Sequence, residues 1–184
     1  MKIGIAGGQG IGKTTLAIQL SRYLNISLIP DIAKEMATIN KYDLTNINEK
    51  EFINFQEKAI KSKILTEKHH KAFISDTTIL DYLSVTTLYS KNISKDHFVH
   101  LMQLVKKASY NYDVIIVIPS GQFELVNDGV RSINYIHQWK RYVMLIGWVT
   151  LWKLRWFLLH KQDVDKRLQE ILNYLNKEAN RWLS

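Results

Sequence analysis

The chain has no cysteine among its 184 residues. This absence excludes a disulfide framework, a thiol nucleophile and a zinc site built on cysteine ligands. The sequence also has no apolar run long enough for a membrane span. Residues 142–152 form the longest candidate and carry no charge, but a spanning helix needs roughly 20 such residues. We interpret this segment as a buried helix and expect no membrane contact.

The formal net charge is +8, yet the sequence has no long basic run. A scattered basic surplus is compatible with nucleic acid, with small polyanions such as nucleotides, or with an ordinary solvated surface. Met1-Lys2 leads directly into an apolar strand and then to glycines, so no signal peptide is predicted. We expect a cytoplasmic protein, and its oligomeric state, a homodimer included, is left open.

Short apolar runs alternate with amphipathic stretches, a pattern that predicts strands alternating with helices. The predicted strands are 2–6, 27–30, 72–75, 113–119 and 156–160, and the main helices are 13–24, 46–70, 79–89, 131–154 and 163–182. The run Val-Ile-Ile-Val-Ile at 114–118 is typical of a strand covered on both faces of a parallel sheet. No linker or repeat interrupts the pattern, which predicts a single α/β domain over residues 1–184.

Residues 7–14 match the phosphate-binding pattern G-x-x-x-x-G-K-[ST] in full, between a predicted strand and a predicted helix. Glycines let backbone N–H groups turn inward around an anion, and the following helix adds its N-terminal partial charge. A chance glycine-rich turn is the alternative interpretation. The predicted ATP-binding residues are Gly7, Gly8, Gln9, Gly10, Ile11, Gly12, Lys13, Thr14 and Thr15. Lys13 is expected to reach the β- and γ-phosphates, and the Thr14 hydroxyl to bind Mg²⁺.

Asp76 ends the apolar run Phe-Ile-Ser-Asp, which is the layout of a Walker B element. A carboxylate at the carboxyl end of a strand beside the phosphate loop lies where α/β sheets bind ligands. There it can serve Mg²⁺ or accept a proton from an attacking hydroxyl. An N-cap role before the following helix is the alternative.

Asp31 and Arg131 are two further candidate site residues. Asp31 follows the second predicted strand, where it either orients an acceptor hydroxyl or caps a helix. Arg131 lies on a polar loop after the fourth strand and is a candidate for neutralising phosphate charge. For Lys140 and Arg141 we favour a solvated helix face, and for the tryptophans at 139, 148, 152 and 156 a place in the core.

These motifs resemble those of P-loop nucleoside and nucleotide kinases, most closely the AAA-type ATPases that look like the ribosylnicotinamide kinase domain. The resemblance spans nearly the whole chain and is carried by residues 7–14, 29–35, 55–56, 73–76, 80–83 and 128–131. The terminal strand and the helix that carries Arg167 also fall where that family has them. It implies a three-layer P-loop NTPase sandwich, in which helices and a lid segment at about 121–142 flank a five-stranded parallel sheet.

The resemblance also implies roles for individual residues. Asp31 would be the acceptor-side carboxylate, Lys34 and Gln56 would contact the acceptor, Asp76 would serve Mg²⁺ or the proton, and Arg131 would belong to the lid. Two positions depart from the family pattern, and the segment 142–156 is unusually aromatic for this fold. Asp76 is followed by Thr-Thr rather than Arg-Ser/Thr, and Lys34 replaces an arginine, which loses bidentate geometry.

We therefore predict a kinase that uses Mg²⁺ and ATP to phosphorylate a nucleoside or nucleoside monophosphate. Two alternatives remain open: a kinase of the same fold acting on a polynucleotide or a modified DNA base, and an ATP-dependent switch or partner-binding module. The sequence does not name the acceptor, and it has no Asn-Lys-x-Asp motif for guanine after the fourth strand.

Overall fold

The computed structural model describes residues 1–39, 47–121, 135–160 and 163–182. Strands and helices alternate along most of the chain. The strands are β1 (Lys2–Gly7), β2 (Ser27–Ile29), β3 (Phe73–Asp76), β4 (Val114–Ile118) and β5 (Trp156–Leu158). The helices are α1 (Lys13–Leu24), α2 (Ile32–Ile39), α3 (Glu49–Lys68), α4 (Ile79–Tyr89), α5 (Lys95–Ser109), α6 (Tyr135–Leu151) and α7 (Val164–Trp182).

The five strands form one parallel sheet in the order β2-β3-β1-β4-β5. Its centre is β1, which pairs with β3 on one side and with β4 on the other, so that Ile3 lies opposite both Ile74 and Val114. Every β4 side chain is buried. This burial confirms the prediction from the continuous β-branched run, because a central parallel strand is covered on both faces.

The sheet separates two apolar clusters, which gives three layers. On one face, Ile3 and Ile5 pack with residues of α1 and α7, such as Leu16 and Ile171. On the other face, the alternate strand positions pack with helices α2 to α6. The predicted P-loop sandwich is therefore confirmed. Within the described ranges, no helix is both long and apolar enough to cross a membrane.

The segment 142–152 is helical, but the prediction that it is buried was only half right. Leu145 and Val149 are fully buried on one face of α6, whereas Val143 and Leu151 on the other face are 62% and 70% exposed. The tryptophans divide in the same way: Trp152 is buried, and Trp139 is 40% exposed. An uncharged stretch of sequence does not show how much of the helix surface the sheet will cover.

Two glycines give a test of the packing. A Cβ built on Gly4 in β1 would lie 2.6 Å from Thr78 Cγ2 and 3.2 Å from the Tyr112 ring, whereas one on Gly147 in α6 would meet nothing within 4 Å. We expect Gly4→Ala to lower the free energy of unfolding by about 1–3 kcal/mol through overpacking.

Gly147→Ala is the matched control, since the same methyl group is added in open space. It should raise the free energy of unfolding by roughly 0.5–1 kcal/mol, because alanine favours a helix over glycine. Thermal unfolding of both variants measures the difference, and equal melting temperatures would contradict the packing of β1 against α4.

Candidate active site

The loop between β1 and α1 has the conformation that its glycines predict. Gly10 and Gly12 have φ of 72° and 85°, and Gly12 is the N-cap of α1. These left-handed values favour glycine, and they turn the chain so that the N-terminus of α1 faces the loop. Thr14 and Thr15 are exposed at this helix terminus. This is the backbone arrangement with which helix N-termini bind anions.

Lys13 is folded back onto its own loop. Its ammonium donates hydrogen bonds to the carbonyl oxygens of Gly7, at 3.1 Å, and of Gly8. Burial lowers the pKa of Lys13, and the nearby carboxylates of Asp81 and Asp76 oppose that shift. The only cation in the phosphate motif is therefore held at the loop by backbone oxygens and by negative charge behind it.

Thr14 and Asp76 meet at the carboxyl end of β3. The Thr14 hydroxyl donates to Asp76 Oδ2 at 2.7 Å. The other oxygen, Oδ1, is buried and has no hydrogen-bond partner among the described residues. Burial raises the pKa of Asp76, against the opposing effects of Thr14 and Lys13. A hydroxyl beside a carboxylate oxygen that lacks a partner is a donor set that fits Mg²⁺.

The alternative interpretation of Asp76 as an N-cap is wrong. The residue that caps α4 is Thr78, and its N–H and hydroxyl both donate to Asp81 Oδ2, at 3.0 and 2.8 Å. Asp76 lies two residues too early to cap the helix. Its carboxylate therefore does not cap the helix and remains at the carboxyl end of β3.

Asp31 follows β2 and caps the next helix, as one of its two interpretations predicts, and the role toward an acceptor stays a prediction. Its Oδ1 accepts from the N–H of Lys34 at 3.3 Å, in the first turn of α2. The same oxygen accepts from the Tyr82 hydroxyl at 2.8 Å, and Oδ2 accepts from the Thr77 hydroxyl at 3.3 Å. Asp31 thus caps a helix and is oriented by Thr77, directly after β3, and by Tyr82 of α4.

Thr77 is the residue that departs from the Asp-Arg-Ser/Thr pattern implied by the resemblance. It has a φ of 71° and is buried, an uncommon state for a β-branched residue. Its hydroxyl bridges to Asp31, and its carbonyl accepts from Ser75 at 3.3 Å. The missing arginine is therefore replaced by a short hydrogen-bonding link between the two strand ends.

The two predicted acceptor contacts lie in different surroundings. Lys34 is exposed on α2. Gln56 is buried on α3, and its Oε1 has no hydrogen-bond partner among the described residues. An unpartnered buried amide oxygen is costly, and it is available for a ligand. Arg131 and most of the expected lid lie outside the described residues.

The sequence does not predict a buried ion pair that lies behind the phosphate loop. Asp81 is 0% exposed and lies 3.4 Å from the guanidinium of Arg141, which is 6% exposed. Asp81 Oδ1 also accepts from the N–H of Gly7, the last residue of β1 and the first of the phosphate motif, at 3.0 Å. The expected solvated face is therefore wrong for Arg141 and confirmed for Lys140, which is exposed.

Side chains from α6 and α7 hold the rest of the loop. Gln138 accepts from the N–H of Gln9 at 2.9 Å and donates to its carbonyl at 3.3 Å. Arg167, buried on α7, donates to the Ile11 carbonyl at 2.9 Å. A Cβ on Gly8 would lie 1.9 Å from Gln138 Oε1, so the loop and α6 are in close contact.

The signals for these missed residues differ. Asp81 is a lone charge among apolar residues in α4, and an acidic residue in such a helix is rarely buried unless it is paired. Gln138 lies in the largely apolar helix α6, where nothing local marks it, and the helix that carries Arg167 is part of the family resemblance, which gives that residue no role. Their partners are separated from them by 129 and 156 positions.

Adjacent residues of α6 test the ion pair. Arg141→Met should leave Asp81 buried without its cation and lower the free energy of unfolding by roughly 3 kcal/mol or more. Lys140→Met makes the same chemical change on the exposed side and should alter it by about 0.5 kcal/mol at most. Urea unfolding compares them, and equal effects would remove the assigned role of Arg141.

Comparison with known proteins agrees with this geometry. The model of the AAA domain family matches residues 2–167, and a search of curated proteins finds no significant match. Deoxyadenosine kinase from M. mycoides, with dCMP and dCDP bound, is 19% identical with a TM-score of 0.70, and the match covers 96% of this chain and 100% of that one.

Two further solved structures are similar. NadR protein in complex with NAD and AMP-PNP is 18% identical with a TM-score of 0.67, and the match covers 96% of this chain and 48% of that chain. YorR protein from Bacillus subtilis, in complex with phosphorylated GDP, is 12% identical with a TM-score of 0.59, and 98% of each chain is covered. The chain belongs to the AAA domain family and has the fold of a P-loop nucleoside kinase.

Proposed function

We propose that the chain transfers the γ-phosphate of ATP to a hydroxyl of a nucleoside or to the phosphate of a nucleoside monophosphate. The observation that carries this proposal is the order of groups along one edge of the sheet. The phosphate loop follows β1, Asp76 ends β3 and Asp31 follows β2, in the strand order β2-β3-β1. Neighbouring strands lie about 4.8 Å apart, so Asp31 is roughly two strand spacings from the loop.

The donor side of the site is the loop itself. Backbone N–H groups of residues 7–15 and the N-terminus of α1 would hold the phosphates of ATP, and Lys13 would leave the carbonyl oxygens of Gly7 and Gly8 to contact the β- and γ-phosphates. Thr14 and Asp76 would hold Mg²⁺, which when bound neutralises charge on the phosphates.

The acceptor side lies at the ends of β2 and β3. The acceptor hydroxyl oxygen would form a bond to the γ-phosphorus, and the bond from that phosphorus to the bridging oxygen would break and release ADP. The hydroxyl proton would pass to Asp31, whose carboxylate is oriented by Tyr82 and Thr77. Gln56 and Lys34 would contact the rest of the acceptor, and Arg131 would approach the transferred phosphate.

Two observations favour a nucleoside acceptor over other hydroxyl compounds. The unpartnered Gln56 Oε1 can accept a hydrogen bond from a base. The M. mycoides kinase was crystallised with a nucleoside monophosphate and diphosphate, and a NadR structure with NR. Because ATP and such acceptors are cytoplasmic metabolites, the expected location in the cytoplasm is part of this proposal.

Asp76→Asn tests the metal-binding side. The variant keeps the shape of the side chain but removes the charge, so the gain in ATP affinity that Mg²⁺ provides should fall roughly 10–100-fold. ATP affinity in EDTA should stay the same. Calorimetric titration with and without Mg²⁺ measures both, and Asp96→Asn, on the exposed first turn of α5, is the control. An unchanged gain in Asp76→Asn would assign the metal to other residues.

Lys13→Ala tests the reaction. The protein is incubated with γ-labelled ATP and a pool of nucleosides, nucleotides and short oligonucleotides, and the labelled product is identified. We expect a labelled nucleotide from the native chain and a rate at least roughly 100-fold lower from Lys13→Ala, because a cation at the transferred phosphate is lost.

Arg22→Ala, at the exposed end of the same helix, should keep the native rate. Near-normal transfer by Lys13→Ala would contradict the mechanism. A labelled oligonucleotide would identify a polynucleotide acceptor instead, and inorganic phosphate as the sole labelled product would identify an ATPase.

A further inference from the structure

A lysine with no role in the reaction just described lies beneath the site. Lys63 is 0% exposed in the middle of α3, which makes it one of the largest fully buried side chains of the described residues. A buried lysine is rare and needs partners. Its surroundings therefore call for a physical explanation.

The ammonium of Lys63 joins the ends of two strands. It donates to the carbonyl oxygen of Pro30, directly before Asp31, at 2.7 Å, and to the carbonyl oxygen of Asp76 at 3.2 Å. Each accepting carbonyl thus belongs to, or directly precedes, one of the two site carboxylates. Together with the hydroxyl link from Thr77 to Asp31, these bonds connect β2 to β3 where the sheet pairing ends.

Lys63 also interacts electrostatically with the carboxylates of the site. Asp31, Asp76 and Asp81 act electrostatically on Lys63, and the same three carboxylates act on Lys13. Lys13 of the phosphate loop and Lys63 of α3 therefore both oppose the charge of these carboxylates, in addition to Arg141, which pairs with Asp81. A bound triphosphate would engage Lys13, and Lys63 would remain as the interior counter-charge.

One helical turn further along α3, Glu67 extends the contact to the next layer. Its Oε1 accepts from the hydroxyls of Ser75, at 2.6 Å, and Tyr112, at 2.8 Å. Burial lowers the pKa of Lys63 and raises that of Glu67, and each partly offsets the shift of the other. The same face of α3 carries Gln56 seven residues earlier, so one rigid helix carries a predicted acceptor contact and this strand link.

We propose that Lys63 is a positioning residue that fixes the acceptor-side carboxylate, Asp31, relative to the metal-side carboxylate, Asp76. This role in turnover rests on the proposed phosphotransfer function. Its loss lets the ends of β2 and β3 separate and removes the buried cation nearest to the main chain of Pro30 and Asp76. Among the described residues, Lys63 makes no hydrogen bond to the phosphate loop. The loop therefore keeps its affinity for ATP.

Lys63→Met tests this role, because it keeps the length of the side chain and removes its charge and donors. We expect kcat to fall roughly 10–100-fold, since small misplacements of reacting groups have effects of this size. KM for the acceptor should rise, and the Mg²⁺-dependent gain in ATP affinity should shrink. ATP affinity in EDTA should be unchanged, a separation that general loosening of the fold would not produce.

Two further variants make the result decisive. Lys61→Met is the matched control on the exposed side of the same helix, and its kcat should stay within about twofold of native. The double variant Lys63→Met/Glu67→Gln removes both buried charges and keeps an acceptor for Ser75 and Tyr112. Its melting temperature should recover towards the native value, because Glu67 no longer carries a buried charge that Lys63 partly offset, while its kcat stays low.

Native kcat and native Mg²⁺ dependence in a folded Lys63→Met or double variant would overturn the proposal. Failure of both to fold would also overturn it, since Lys63 would then be required for folding rather than for positioning. Absence of any phosphorylated product from the native chain would reject the proposed function alone. In that case the Mg²⁺-dependent ATP affinity of the variants still decides the role of Lys63.

Discussion

The parallel pairing of β1 with β3 is the constraint on which the site depends. It places Ile5 opposite Asp76, so the loop that leaves β1 turns beside the carboxylate that ends β3. Because Thr14 begins the helix after that loop, its hydroxyl returns to Asp76 Oδ2. A shift of one residue in this register would turn Asp76 to the other face of the sheet.

The site concentrates charge in a poorly solvated place, and the structure compensates for it. Asp81 is paired with Arg141, and Lys63 supplies a second cation from the opposite side. Unpaired, any of these groups would destabilise the fold or change its protonation state. Much of the polar chemistry beneath the loop therefore maintains the carboxylates that the proposed reaction needs, rather than contacting the nucleotide.

The helices that support the loop come from distant parts of the chain. Gln138 of α6 bonds the Gln9 peptide, and Arg167 of α7 bonds the Ile11 carbonyl. Because α6 also carries Arg141, a movement of α6 would alter both the ion pair and the loop. The apolar outer face of this helix, with Val143 and Leu151 exposed, lies on the side away from these contacts.

The sequence alone determined the parallel sheet, the phosphate loop and Asp76 at a strand end, because these features depend on local patterns of glycine, apolar residues and strand boundaries. It did not separate Arg141 from Lys140, which are neighbours of the same charge. Nor did it single out Lys63 among the five lysines of α3, although Lys63 and Glu67 continue the buried spacing of Ile53, Gln56 and Ile60. Only tertiary packing decided which charges lie inside, since burial depends on the partner that a folded neighbour supplies.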